Sequence, residues 1–93
     1  MREIDYSGQF ERDYAREKKS SRNRDSDEKL STVLDLLCTD KLLPMRYKDH
    51  PLRGEYSGTR ECHIKPDLLL IYFKDKVTKL VLVRLGSHSE LFD

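Results

Sequence analysis

No apolar run in this 93-residue chain approaches the roughly 18 consecutive residues that a membrane span requires. The opening residues, Met1 to Tyr6, alternate in polarity where an export signal would be apolar, so none is expected. Cysteine is scarce. Cys38 and Cys62 lie far apart and fit no CxxC pattern, so both are expected reduced, Cys38 as a small core residue. These absences together point to the cytoplasm and away from the membrane. An excess of one charge is missing as well: the net charge is +1, with 10 basic and 10 acidic residues over 1–47 and 8 and 7 over 48–93. Such a balance does not announce nucleic acid. One local exception runs from Arg16 to Arg24, five positive charges against one negative; it is either a solvated helix end and loop or a phosphate-contact patch. The four glycines are scattered, so there is no Gly-rich phosphate loop. A GxSxG elbow, internal repeats and low-complexity segments are also absent.

What is present, 37% hydrophobic and 38% charged residues, suits one small domain over residues 1–93. Residues 2–6 alternate as a short strand. Ser7 can cap a helix from near Gly8 to Lys19, with Phe10 and Tyr14 on one face. Ser20 to Asn23 is turn-like. Leu30, Val33, Leu34, Leu37 and Cys38 form one apolar stripe of a second helix, capped by Asp25 or Ser26. Beyond Pro44 a short strand is expected over Met45–Lys48. Thr59 to Lys65 alternates, with Arg60, Cys62 and Ile64 on one face and Glu61, His63 and Lys65 on the other. Pro66-Asp67 turns into the apolar run Leu68–Phe73, a central strand. Val77–Leu85 is the last strand, broken by Gly86. The expectation is an α+β fold, β-α-α-β-β-β-β, with two helices on a small, mostly antiparallel sheet.

Three segments each place a histidine near a cation and a carboxylate: Lys48 to Gly54 around His50, Arg60 to Asp67 around His63, and Arg84 to Phe92 around His88. Histidine exchanges protons near neutral pH. Metal binding is disfavoured, because Cys62 and His63 point to opposite faces and no zinc spacing is matched. What remains is acid–base chemistry assisted by cations. A base takes the proton of a ribose 2′-OH, the oxygen attacks the adjacent phosphorus, an acid protonates the departing 5′-oxygen, and an arginine steadies the charge. Each residue also has an ordinary structural reading. His50 suits a loop, His63 an exposed strand face, Asp67 a turn and His88 a polar tail, while Arg84 could simply pair with Glu61 or Glu90.

In sequence and order the segments Glu3–Phe10, Tyr47–Gly54, Gly58–Asp67, Leu69–Tyr72 and Arg84–Phe92 resemble the YafQ branch of the RelE-type toxins of bacterial toxin–antitoxin pairs. The resemblance implies a RelE-like fold and cleavage of messenger RNA in the ribosomal A site, close to 16S rRNA, without metal or other cofactor. A cognate antitoxin is implied as partner, with operator DNA bound only through the antitoxin complex. By position the implied catalytic residues are His50, His63, Asp67, Arg84 and His88. His88 would be the general acid and His50 or Asp67 the base, with Arg84 on the scissile phosphate and His63 orienting or tuning. Phe92 would stack on a base, with Arg60 and Lys48 as further substrate-binding residues. Relatives often carry tryptophan after Pro-Asp, where this chain has Leu68. That loss of a stacking surface, with the low charge, leans toward the alternative of a non-cleaving toxin-fold module acting with its antitoxin as a corepressor.

Overall fold

The computed structural model describes residues 1–20 and 24–92 of the chain. Ser21, Arg22 and Asn23, which belong to the expected turn and to the basic run, lie outside the described residues. Alternation at the start forms β1 (Glu3–Tyr6). Ser7 then accepts the Phe10 backbone N–H at 2.9 Å and starts α1 (Gly8–Lys18). The apolar stripe becomes α2 (Ser26–Cys38), buried along Leu30, Val33, Leu37 and Cys38. Asp25 stands at its N-cap position but accepts from Lys65 Nζ at 2.9 Å instead of from the helix. Strands β2 (His50–Pro51), β3 (Arg60–Lys65), β4 (Leu68–Lys74) and β5 (Lys79–Gly86) come next, and the short helix α3 (His88–Phe92) comes last.

The sheet order is β1-β5-β4-β3-β2, with β1 parallel to β5 and the other neighbours antiparallel. Both sheet faces are covered, which accounts for the unbroken apolar run of β4. Under the two long helices, Phe10, Leu30, Val33 and Leu37 pack on Cys62, Ile64, Leu70, Tyr72, Leu80 and Leu82. Leu68 belongs to this core and is 1% exposed. It is therefore a packing residue on the helix-covered face of the sheet, where it presents almost no exposed surface. On the opposite face Leu69, Ile71 and Leu91 form a smaller cluster with Leu52, Tyr56 and Val83.

The outer edge of β5 is only partly paired. β1 pairs only with residues 79–82, so beyond Leu82 the outer backbone groups need other partners. Side chains around and on α1 supply them. Ser7 Oγ donates to the Val83 carbonyl at 2.7 Å, Asp13 accepts the Leu85 N–H at 3.0 Å, and Arg16 Nη2 donates to the Leu85 carbonyl at 3.0 Å.

Two segments differ from the sequence expectation. Met45–Tyr47 is a 3-10 turn, not a strand: Pro44 fixes the first φ, its carbonyl accepts the Tyr47 N–H at 3.0 Å, and Lys48 turns left-handed at φ 51°. The strand begins later, at His50. The C-terminal stretch, where the sequence predicts no helix, is helical because Ser87-His88-Ser89-Glu90 forms a capping box. Ser87 Oγ accepts the Glu90 N–H at 3.2 Å, and Glu90 Oε1 accepts the Ser87 N–H at 2.8 Å.

Candidate active site

Residues directly opposite in an antiparallel pair share a face, so the register alone gathers most of the site. One row across the sheet is His50–Glu61–Ile71–Arg84, and the next is His63–Leu69–Gly86. Arg84 belongs there only because of an irregularity in β5. Tyr72 pairs with Leu82 but Ile71 pairs with Arg84, so Val83 is an extra residue. This bulge flips the parity of the strand and carries Arg84 from the helix-covered face to that of the histidines. Gly86, ending the second row, leads through Ser87 into α3, which carries His88 and Phe92.

The Glu61 carboxylate, with its side chain 4% exposed, sits between two rings: its Oε1 lies 3.5 Å from His50 Nε2 and 3.8 Å from His63 Nε2. The other nitrogen of His50, Nδ1, is 2.6 Å from the Lys48 carbonyl oxygen. A carbonyl only accepts, so Nδ1 carries a proton and Nε2 is the nitrogen open to exchange. The His63 and His88 rings are 6.2 Å apart at their centroids, in an edge arrangement. Asp67, exposed in the β3–β4 turn, accepts the backbone N–H of His88 through Oδ1 at 3.3 Å. Phe92 lies 5.7 Å from the His88 ring and meets Tyr56 edge-on at 6.0 Å.

Arg84 pairs with neither Glu61 nor Glu90. Its Nε and Nη2 donate to the fully buried carboxylate of Asp13 at 2.7 and 3.1 Å, and Nη1 donates to the Tyr56 hydroxyl at 3.2 Å. Burial alone pushes the Asp13 carboxyl up, yet hydrogen bonds from Arg84 and the Leu85 N–H outweigh it and hold it below the usual carboxylate value. The hydrogen bond to Asp13 in turn raises Arg84 above its ordinary value.

The sheet therefore brings His50, His63 and Arg84 onto one face and sets Asp67, His88 and Phe92 at its end. Arg60 is not brought there. It pairs with Tyr72 across the sheet, on the helix-covered face, and its guanidinium is tied to Asp49 at 3.2 Å. Strand parity thus separates Arg60 from the face of the histidines, as the alternation of β3 predicts. Lys48 lines a hollow with Asp25, Glu28, Arg46 and Lys65, into which His63 alone of the three histidines reaches. Cys62 is buried in the core, and burial pushes its thiol well up, leaving it inert.

Three residues that sequence reasoning passed over complete the arrangement. Glu61 carried a signal, since it alternates in phase with His63. Tyr56 and Asp13 carried none, because their partners are reached only through the folded chain.

The chain matches the family model of the bacterial toxin of type II toxin–antitoxin systems, YafQ, over residues 2–93. The mRNA interferase toxin YafQ of Escherichia coli strain K12 is 42% identical over 94 residues, spanning 99% of this chain and 97% of that protein. Among solved structures, a metal-bound toxin from Helicobacter pylori is similar at TM-score 0.81 with 43% identity, covering 99% of this chain and all of that one. The E. coli DinJ–YafQ complex is similar at TM-score 0.77 with 38% identity, covering 100% of both chains. With the fold, the order of the histidine segments and a match over nearly the whole chain in agreement, the chain belongs to the YafQ toxins of bacterial type II toxin–antitoxin systems.

Proposed function

We propose that this chain cleaves messenger RNA in the ribosomal A site by acid–base catalysis in which no step requires a metal. The observation that supports the reading is the common face of His50, Glu61, His63 and Arg84, with His88 at its end. His50 is the base. Its Nδ1–H is held by the Lys48 carbonyl, which fixes the ring and presents Nε2 to the ribose 2′-OH. The Glu61 carboxylate beside Nε2 steadies the imidazolium that forms. The freed 2′-oxygen attacks the adjacent phosphorus, the bond to the 5′-oxygen breaks, and His88 protonates that oxygen. The products are a 2′,3′-cyclic phosphate and a free 5′-hydroxyl. His63, between base and acid, orients the phosphate. Arg84 donates to its non-bridging oxygens, and Phe92 stacks on a base. Asp67 holds the start of α3 and thereby His88.

The H. pylori relative was solved with metal bound. Among the described residues of this chain, no group of three His, Cys, Asp or Glu side chains is arranged to hold an ion, and the proposal assigns both proton transfers to side chains. No described helix is long and apolar enough to cross a membrane. The chain works on ribosomes in the cytoplasm. The partner is a cognate antitoxin, as DinJ is in the E. coli complex, with operator DNA contacted only through that complex.

The test is cleavage on ribosomes programmed with a defined mRNA, with a transition-metal chelator present and the magnesium of the ribosome retained, and mapping of the RNA ends. The expected outcome is A-site cuts that survive chelation, a loss on the order of 100- to 10,000-fold for His50→Ala or His88→Ala, and a smaller loss for Asp67→Asn. Uncut mRNA, with translation arrested or normal, overturns the reading in favour of the corepressor alternative. Cuts that disappear with chelator overturn the metal-free steps.

A further inference from the structure

A helix of five residues cannot hold its own place, since so short a segment does not fold alone. Yet α3 carries both His88 and Phe92. Its attachment to the sheet runs through Glu90. Beyond the capping box, the second carboxylate oxygen of Glu90 lies 3.1 Å from Arg16 Nε on α1. Arg16 Nε also meets Glu17 Oε2 at 2.8 Å, its Nη1 meets Asp13 Oδ1 at 3.0 Å, and its Nη2 meets the Leu85 carbonyl at 3.0 Å. One guanidinium thus ties α1, the end of β5 and α3 together.

Two further observations mark this as a built device. Glu17 is buried, 2% exposed. Its burial, and then its hydrogen bond with Glu90, raise its pKa while the Glu90 pKa is lowered, so of the two carboxyls Glu17 is the harder to ionise. Gly86 leaves the gap the clamp fills. A Cβ there would stand 2.8 Å from Arg16 Nη2, 3.1 Å from Leu91 Cδ2 and 3.2 Å from Glu90 Oε1, so the guanidinium and α3 close directly over bare backbone.

We infer that Glu90, gripped by Arg16 and Glu17 of α1, is the positioning residue that sets His88 and Phe92 against the His63 edge of the site. The inference rests on the reading of His88 as the general acid. Glu90 itself touches no reacting atom. Its effect reaches the chemistry by fixing where the His88 ring stands, and misplacement by about an ångström can cost on the order of 100-fold in rate.

The experiment measures kcat and KM for mRNA cleavage on programmed ribosomes, thermal unfolding, and the NMR ring resonances of the three histidines, in Glu90→Ala, Glu90→Gln and His88→Ala. Glu90→Ala is expected to lower kcat by about 10- to 100-fold with KM changed by no more than about twofold, and to shift His88 while His50 stays in place. Glu90→Gln keeps an acceptor for the Ser87 N–H and a hydrogen-bonding partner for Glu17, and recovers most of kcat. An inactive His88→Ala alongside a Glu90→Ala with unchanged kcat overturns the clamp and leaves the catalytic reading standing. An active His88→Ala overturns the catalytic reading on which the clamp depends. Should Glu90→Ala not fold, Arg16→Lys is the second probe. It keeps the charge but loses the fork that spans Glu90 and the Leu85 carbonyl, and an unchanged kcat in that variant overturns the clamp equally.

Discussion

Replacing Asp13 with alanine removes the acceptor that Arg84, Arg16, the Gln9 side chain and the buried Leu85 N–H share. The carboxylate has no exposed surface. It receives Arg84 at 2.7 and 3.1 Å, Arg16 at 3.0 Å and the Leu85 N–H at 3.0 Å. Breaking a buried ion pair by deleting one partner typically costs about 3–5 kcal/mol, because the surviving charge stays desolvated. The Arg84 side chain is 18% exposed, so water reaches only part of it and the loss falls within that range. A domain of this size has a total stability of roughly 5–15 kcal/mol and shifts its midpoint by about 4–8 °C for each kcal/mol. The expected fall in Tm is on the order of 12–40 °C. Urea unfolding monitored by circular dichroism reads the same quantity as a drop in the midpoint at constant slope. The pH dependence supplies an internal check through Asp13→Asn. The folded-state pKa of Asp13 lies below the ordinary 3.8, so its stabilisation is complete above that value and is lost as pH falls through the folded-state pKa. The gap between parent and Asp13→Asn should therefore be full at neutral pH and close on acidification. A loss under about 1 kcal/mol for Asp13→Ala, or a gap that does not depend on pH, would refute the account of α1 as the acceptor for the end of β5.

Glu17 gives the opposite sign. Its pKa is raised from 4.5 by burial and by its hydrogen bond with Glu90, so its stabilising contribution is full below that value and fades as pH rises through the folded-state pKa. Glu17→Gln does not titrate, and its Tm relative to the parent should climb with pH above about 4.5; a flat difference across that window sinks the account of a Glu17 carboxyl raised by burial. Gly86→Ala pushes a methyl against Arg16, Leu91 and Glu90 and should cost about 1–3 kcal/mol. Calorimetry checks the stability, and an unaltered Tm means that α3 does not close over Gly86 as described.

The parts of the fold that were readable from sequence are those decided by near neighbours. The stripe from Leu30 to Cys38, the Ser7 cap and the alternation of Arg60 to Lys65 each arise from local periodicity, and all three appear as helix, cap and strand. Parity in β3 was itself enough to separate Arg60 from His63, although motif resemblance grouped them. What could not be read depends on contacts across the chain. Asp13 reaches Arg84 over 71 positions, and nothing on α1 distinguishes it from a solvated acid. The bulge at Val83 leaves no mark in a β-branched run, yet it decides which face Arg84 occupies. The capping box of α3 was legible in Ser87-His88-Ser89-Glu90, but a terminal position and polar composition disguised it as a tail. Glu61 was visible as a carboxylate; only the pairing of β2 with β3 shows that two histidines share it.

The charge balance acquires a physical meaning once pairs are assigned. Arg2 is bound to Asp40, Arg16 to three carboxylates, Arg60 to Asp49, Lys65 to Asp25, Lys74 to Asp40 and Arg84 to Asp13. Asp40, held by Lys74 and Arg2, falls to about 2 and stays ionised throughout the working range. These cations release few counterions when a polyanion approaches, because a carboxylate already accompanies each of them, and free RNA gains little electrostatic affinity. Among the described residues, Arg12, Lys19, Lys41 and Lys76 carry no ion pair, and neither do Arg46, Lys48 and Arg53, which flank His50 in the chain. Positive charge available to a phosphate backbone therefore stands beside the proposed base. A fold that ties so many of its cations into internal structure has little charge left to capture free RNA, and delivery of the message on a ribosome, as proposed, would supply the alignment that charge does not.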